Sequence, residues 1–152
     1  MVNITATVED HFHNPFFLGA FGNQFSDRFR AGVSVAPVTD WRDYDSIYTE
    51  RYLGLPTENA AEYHDFSVVN SAANLKGRLL IAQGTGDDNV HIDNTVQFVQ
   101  RLVEVGIPYD LQLYPRKTHA LSGGDVRTQL YSRILAQFEM VLKPETPAAG
   151  GQ

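Results

Sequence analysis

Cysteine, basic clusters and long apolar stretches are all missing from this sequence. The absence of cysteine excludes a disulfide framework, cysteine-ligated zinc and a cysteine nucleophile. The sequence has 12 Lys and Arg residues against 18 Asp and Glu residues, and it has no basic run. This argues against a nucleic-acid partner, because phosphate binding needs grouped Lys and Arg. No apolar stretch approaches the roughly 18 residues of a membrane-spanning helix. The first residues also lack the basic and apolar regions of a signal peptide.

The remaining composition suits a folded α/β domain. Its 152 residues are 43% hydrophobic and 11% aromatic, which is enough for one core. Three apolar runs, at 31–36, 78–83 and 109–114, each end at Pro or Gly and are predicted strands. The middle run is continuously apolar, which predicts a strand covered on both faces, whereas the third alternates and suits a sheet edge.

Helical periodicity fills the intervals between these strands. Apolar residues recur at three- and four-residue spacing over 91–105 and again from 126 to 141. Shorter helices are predicted at 44–53 and from Pro56 to about residue 64. Alternation of strands with such helices predicts right-handed βαβ units on a parallel sheet.

Two strand ends carry titratable side chains. Asp87 follows the middle strand, and His119 follows the third strand 32 residues later. Ligands of open α/β sheets bind beyond the carboxyl ends of the strands, so a carboxylate and an imidazole could meet there. An acid followed by a histidine is also the chain order of the last two triad members in α/β-hydrolases. From the spacing alone, the alternative is that Asp87 and His119 lie in two ordinary solvated loops and do not meet.

Longer motifs add a family resemblance. The segments 35–41, 44–56 and 84–91, with the His119 loop, resemble the catalytic domain of dipeptidyl peptidase IV-like enzymes in the prolyl oligopeptidase family. The resemblance extends over about residues 30–142. It implies the C-terminal portion of an α/β-hydrolase fold, with parallel strands and flanking helices, and a serine peptidase that releases dipeptides after proline.

The resemblance also implies roles for individual residues. Asp87 and His119 would be the acid and base of a Ser/Asp/His triad, and Asn89 would bind the substrate carbonyl. The proline-accepting pocket would be lined by Tyr44, Tyr48, Val38, Trp41 and Val90. The spacing of Tyr44 and Tyr48 predicts that both rings lie on one helix face and stack into a flat slot. Ordinary half-buried packing is the alternative for these tyrosines.

The sequence departs from the family at the nucleophile. No Gly-x-Ser-x-Gly segment is present, because none of the serines has the flanking glycine pair: Ser26, Ser34, Ser46, Ser67, Ser71, Ser122 and Ser132. We therefore expect a truncated domain in which the serine, its strand, the propeller and any targeting signal lie upstream. Residues 1–21 would be unmatched, 22–143 a partial peptidase domain and 144–152 a flexible tail. Such a chain would be inactive alone.

Other functions remain as alternatives. The turn Gly84-x-Gly86 is only a partial dinucleotide fingerprint. His11 and His13, or Asp87 with Asp88 and His91, form weak metal patterns. We therefore predict no cofactor and no metal. A non-enzymatic module that binds proline-containing peptides or another subunit is the second hypothesis. The expected partner is a peptide with proline near its amino terminus, and an uncovered strand at 33–35 predicts self-association.

Overall fold

A parallel three-stranded sheet organises the chain. A computed structural model describes residues 30–142, and its strands are β1 (Ala31–Val35), β2 (Arg78–Gly84) and β3 (Asp110–Tyr114). They lie in the order β1-β2-β3, all parallel. The predicted strands are therefore confirmed, with the continuously apolar run in the middle and the alternating run at an edge.

Helices and 3-10 turns connect these strands. The helices are α1 (Ser46–Leu53), α2 (Ala60–Asp65), α3 (Asp93–Glu104) and α4 (Val126–Leu142). One 3-10 segment, Trp41–Asp43, follows β1, and another, Val68–Asn74, precedes β2.

Successive side chains of β2 enter opposite layers of the core. Leu79 and Ile81 pack with α3 and the second 3-10 segment, in a cluster of Val68, Ala72, Leu75, Leu79, Ile81, Phe98 and Leu102. Leu80 and Ala82 face α4, in a cluster of Val33, Leu80, Ala82, Tyr114, Leu121, Leu130 and Ile134. The central strand is thus covered on both faces, as its continuous apolar run predicts.

Two predicted helix starts were wrong. Tyr44 has an extended backbone, because the Asp45 carboxylate accepts the Ile47 N–H at 2.8 Å and starts α1 only at Ser46. The next helix begins at Ala60 rather than Pro56, since the backbone N–H groups of Glu58 and Asn59 bond back to Leu55 in a turn. The first shift changes how the tyrosines of the site are presented.

The 3-10 segment Val68–Asn74 is absent from the sequence-based interpretation. Its short apolar set, Val68, Ala72 and the adjoining Leu75, lacks a full helical stripe, so periodicity does not detect it. It packs beneath α3 and closes that side of the core.

Candidate active site

The loop after β2 is folded around the Asp87 carboxylate. Oδ1 of Asp87 accepts the backbone N–H of Asn89 at 3.0 Å and that of Val90 at 2.9 Å. This turn within the loop holds the carboxyl group at the end of the sheet with its side chain completely buried.

Asp87 and His119 are in direct contact. Nδ1 of His119 lies 3.0 Å from Oδ2 of Asp87, and the imidazole is 19% exposed. The same Oδ2 accepts Nε2–H of Gln83 at 2.8 Å, so each acceptor position of the carboxylate faces a partner. The amide partners can only donate. A fully ionised carboxylate therefore fits best, and it requires that Nδ1 of His119 carry the hydrogen.

The His119 loop approaches β2 at a glycine. A Cβ atom on Gly84 would lie 2.2 Å from the carbonyl oxygen of Lys117, whereas one on Gly86 would lie 3.5 Å from its nearest neighbour. Gly86 N–H donates to that same Lys117 oxygen at 3.0 Å. The hydroxyl of Thr85 accepts the backbone N–H of Arg116 at 2.9 Å. The missing side chain at position 84 therefore allows the two loops to join.

Three aromatic rings form a cluster beside the Asp87 loop. Trp41 and Tyr48 stack with centroids 5.9 Å apart and an interplanar angle of 24°. Tyr44 meets Tyr48 edge to face at 5.8 Å and 78°. The prediction that the two tyrosines stack from one helix face was wrong, because Tyr44 precedes α1 and its ring closes the cluster from the side. The adjacent cavity, of about 160 Å³, is lined by Trp41, Tyr48, Thr49, Tyr52, Leu53 and Phe66.

The Tyr44 hydroxyl joins the aromatic cluster to the Asp87 loop. The hydroxyl of Tyr44 donates to Oδ1 of Asn89 at 3.0 Å. Burial, with the nearby Asp45 carboxylate, raises the pKa of Tyr44, so the phenol keeps its proton as a donor at neutral pH. The other polar group of the Asn89 side chain, Nδ2, can act only as a donor.

The predicted site residues differ in how directly they contact one another. Contacts run continuously through Trp41, Tyr48, Tyr44, Asn89, Asp87 and His119. Val90 joins through its backbone, and its side chain is buried. Val38 lies half-buried in the loop that leads from β1 to Trp41.

Sequence reasoning missed Asn94, which ties the Trp41 loop to α3. Its Oδ1 accepts the backbone N–H of Thr39 at 3.0 Å and that of Asp40 at 3.3 Å. Its Nδ2 donates to the carbonyl of Asp43 at 3.0 Å. A fully buried Asn early in a helix is a weak sequence signal, because the partners lie more than 50 residues away.

A parallel sheet with helices on both faces, and an acid–imidazole pair beyond its strand ends, defines an α/β-hydrolase portion. The chain belongs to the prolyl oligopeptidase family, whose model matches residues 16–145. This confirms the family and the fold that the sequence motifs imply.

Dipeptidyl peptidases are prominent among the similar proteins. Dipeptidyl aminopeptidase B of Saccharomyces cerevisiae is 42% identical over 109 residues, covering 70% of this chain and 13% of its own length. A probable dipeptidyl-aminopeptidase B of Metarhizium robertsii is 43% identical over 110 residues, covering 71% of this chain and 12% of its own length. The chain thus spans about an eighth of these relatives.

Solved structures give the same result. Dipeptidyl peptidase 4 of Porphyromonas gingivalis matches with a TM-score of 0.73 and 45% identity, over 76% of this chain and 17% of that chain. A putative dipeptidyl aminopeptidase IV of Bacteroides ovatus matches with a TM-score of 0.79 and 33% identity, over 84% of this chain and 18% of that chain.

Residues 30–142 contain neither a membrane-crossing helix nor a metal-binding cluster. No helix there has the length and apolar character needed to cross a bilayer. No three His, Asp or Glu side chains in the same range are grouped so that they could hold a metal ion. The segment with His11 and His13 lies outside the described residues, as do residues 1–21 and 144–152.

Proposed function

We propose that this chain supplies the acid and base of a serine peptidase that releases dipeptides after proline. The single observation that carries the proposal is the hydrogen bond between Nδ1 of His119 and the buried Asp87 carboxylate. It holds the ring with Nδ1 protonated, so Nε2 can act as a general base.

The reaction then follows the serine-peptidase scheme. A serine hydroxyl attacks the carbonyl carbon of the scissile bond while Nε2 of His119 takes its proton. Asp87 stabilises the imidazolium that results. His119 next returns the proton to the leaving amine, which leaves an acyl-enzyme. His119 then takes a proton from water as the water attacks the ester, and it returns that proton to the serine oxygen as the dipeptide is released.

The aromatic cluster supports selection of proline. Trp41, Tyr44 and Tyr48 bring three aromatic rings together, and an apolar ring such as that of proline could pack against them. Asn89 lies between this cluster and Asp87, with its amide oriented by Tyr44. A substrate carbonyl next to the proline could accept from Nδ2 of Asn89, and this would align the peptide with the acid–base pair.

The attacking serine is proposed to come from polypeptide outside this sequence. No serine here has the flanking glycines of a nucleophile elbow. Ser34 and Ser122 each have one of the two glycines at the required spacing, and Ser34 is 1% exposed within β1. Loss of a triad serine costs about six powers of ten in turnover, so we expect no measurable activity from the chain alone.

A fluorophosphonate probe tests this proposal directly. The purified chain should remain unlabelled and should not cleave a Gly-Pro chromogenic substrate. When fused to the upstream part of a dipeptidyl peptidase, it should become active. The variants Asp87→Asn and His119→Gln should then lose turnover by about 10⁴-fold or more, with little change in KM. Labelling of the isolated chain at a serine would refute the inactivity claim.

Peptide binding without turnover is a second candidate, because the aromatic cluster lies wholly within this chain. Peptides of the form Xaa-Pro should then quench the fluorescence of Trp41, the only tryptophan. Tyr48→Ala should weaken that binding. Tyr131→Ala, on the exposed face of α4, is the matched control that should not. Equal effects of both variants would contradict this function.

A further inference from the structure

Gln83 is a buried amide inside the apolar central strand. It is 0% exposed at the second-last position of β2, directly after the residues of this strand that pack in the two core clusters. A polar side chain there costs free energy unless each of its groups is bonded. Its hydrogen bonds therefore identify what it does.

All the polar groups of Gln83 are engaged. Nε2 donates to Oδ2 of Asp87 at 2.8 Å and to the carbonyl of Val90 at 3.1 Å. Oε1 accepts the hydroxyl of Thr95, near the start of α3, at 3.1 Å. A reversed amide would place an oxygen against both of the first two acceptors, so the orientation is fixed by chemistry. Thr95, 1% exposed, secures that orientation from the other side.

We propose that Gln83 and Thr95 are positioning residues for the acid–base pair. Gln83 and His119 meet on the same oxygen of Asp87. The backbone N–H groups hold Oδ1, and the Gln83 amide fixes the rotation of the carboxylate, so that Oδ2 faces the imidazole. Thr95 acts one step further away, by orienting Gln83.

The measurable consequence is the tautomer of His119. A neutral imidazole in water carries its hydrogen on Nε2 more often than on Nδ1. An oriented carboxylate at Nδ1 reverses that preference. If the carboxylate can rotate, the His119 bond weakens and the Nε2–H form increases. The catalytic meaning of this effect rests on the proposed function, but the tautomer itself does not.

Long-range ¹H–¹⁵N correlation spectra of ¹⁵N-histidine-labelled chain report the tautomer of each ring. His119→Gln assigns the His119 signal, and free ¹⁵N-histidine in the same buffer serves as the reference, because the Nδ1 atoms of His64 and His91 also lie beside carboxylates. We expect His119 in the unsubstituted chain to be predominantly the Nδ1–H form.

Three variants test the positioning role. Gln83→Met keeps the length of the side chain but removes its amide. We expect it to shift the tautomer ratio toward Nε2–H by about tenfold, equivalent to about 1.4 kcal/mol. Thr95→Val, which keeps the shape and removes the hydroxyl, should shift the ratio in the same direction but less. Thr95→Ser, which keeps the hydroxyl, should restore the original ratio.

The outcomes separate this proposal from the proposed function. An unchanged His119 tautomer in folded Gln83→Met would overturn the positioning role, whatever the peptidase assays show. If Gln83→Met does not fold, equal ratios in Thr95→Val and Thr95→Ser would overturn it. A normal tautomer response with no activity in the fused enzyme would instead contradict the peptidase function alone.

Discussion

At the scale of single residues, Gly84 decides whether the histidine loop can reach Asp87. Its missing Cβ would lie 2.2 Å from Lys117 O, which is backbone and cannot rotate away. We predict that Gly84→Ala lowers the free energy of unfolding by about 1–3 kcal/mol and separates His119 from Asp87. Urea denaturation and the His119 tautomer measure these two effects.

Gly86→Ala is the matched control for that substitution. Its added methyl would make only ordinary contacts with the same loop, at 3.5 Å or more. We expect a change in unfolding free energy below about 0.5 kcal/mol. Similar losses in both variants would show that the close approach at Gly84 is unimportant.

Loss of the hydroxyl should change the free energy of unfolding differently at two buried serines. Oγ of Ser67 donates to Oδ2 of Asp40 at 2.7 Å, whereas the buried Oγ of Ser34 has no hydrogen-bond partner among residues 30–142. We predict that Ser67→Ala costs about 1.5–3 kcal/mol and that Ser34→Ala costs nothing or stabilises by up to about 1 kcal/mol. Urea midpoints compare the two variants. A larger loss of stability in Ser34→Ala than in Ser67→Ala would contradict these predictions.

At the scale of structural elements, Asn94 couples the loop after β1 to α3. Removing its amide leaves the backbone N–H groups of buried Thr39 and Asp40 without this acceptor, and the carbonyl of Asp43 without this donor. Asn94→Ala should therefore cost about 2–4 kcal/mol and shift the Trp41 emission toward that of an exposed indole. Asn70→Ala, which removes a single exposed hydrogen bond, is the control and should leave the emission unchanged.

The Asp40 carboxylate, which caps the 3-10 segment after β1, should make the free energy of unfolding depend on pH. Burial alone would raise the pKa of Asp40, but hydrogen bonds from Arg42 and Ser67 outweigh it and lower the pKa below its usual value. Its contribution to stability is therefore complete above the unfolded-state pKa, about 4, and is lost as the pH falls through the lower folded-state value.

Asp40→Asn tests that dependence. Unfolding free energies measured from pH 7 to acid should fall less steeply for Asp40→Asn than for the unsubstituted chain, because the variant has already lost this contribution at neutral pH. Asp65→Asn, at a carboxylate 77% exposed on α2, is the control and should follow the unsubstituted curve. Parallel curves for the chain and Asp40→Asn would disprove the role of Asp40.

Local patterns predicted the strands but not the hydrogen bonds between distant loops. The apolar run 78–83 identifies β2 because burial on both faces leaves a continuous hydrophobic signal. The contact of Asp87 with His119 was a hypothesis from their positions after two strand ends, from their chain order and from the family resemblance. The roles of Asn94 and Gln83 could not be predicted, because their partners are set by tertiary packing. The start of α1 was misplaced because side-chain capping by Asp45 outweighs apolar spacing.

At the scale of the whole molecule, β1 is an edge of the described sheet. Among residues 30–142 it pairs with a strand on one side only, that of β2. Unless residues 1–21 cover it, such an edge can pair with another chain, so we predict self-association that grows with concentration in sedimentation velocity experiments. A single monomer species over the micromolar range would contradict this.

The exposed apolar face of α4 is the competing explanation for self-association. Tyr131 and Leu135 are each 59% exposed there. Leu135→Glu should leave the association unchanged if the β1 edge carries it. Loss of association in this variant would assign it to α4 instead.

The central position of β2 has a practical consequence. Because β2 is hydrogen-bonded to a neighbour on each side, its amide protons can exchange with solvent only when the sheet opens. The deuterium uptake of this one strand therefore measures the cost of global opening under native conditions. Every variant above can be ranked on that scale without denaturant.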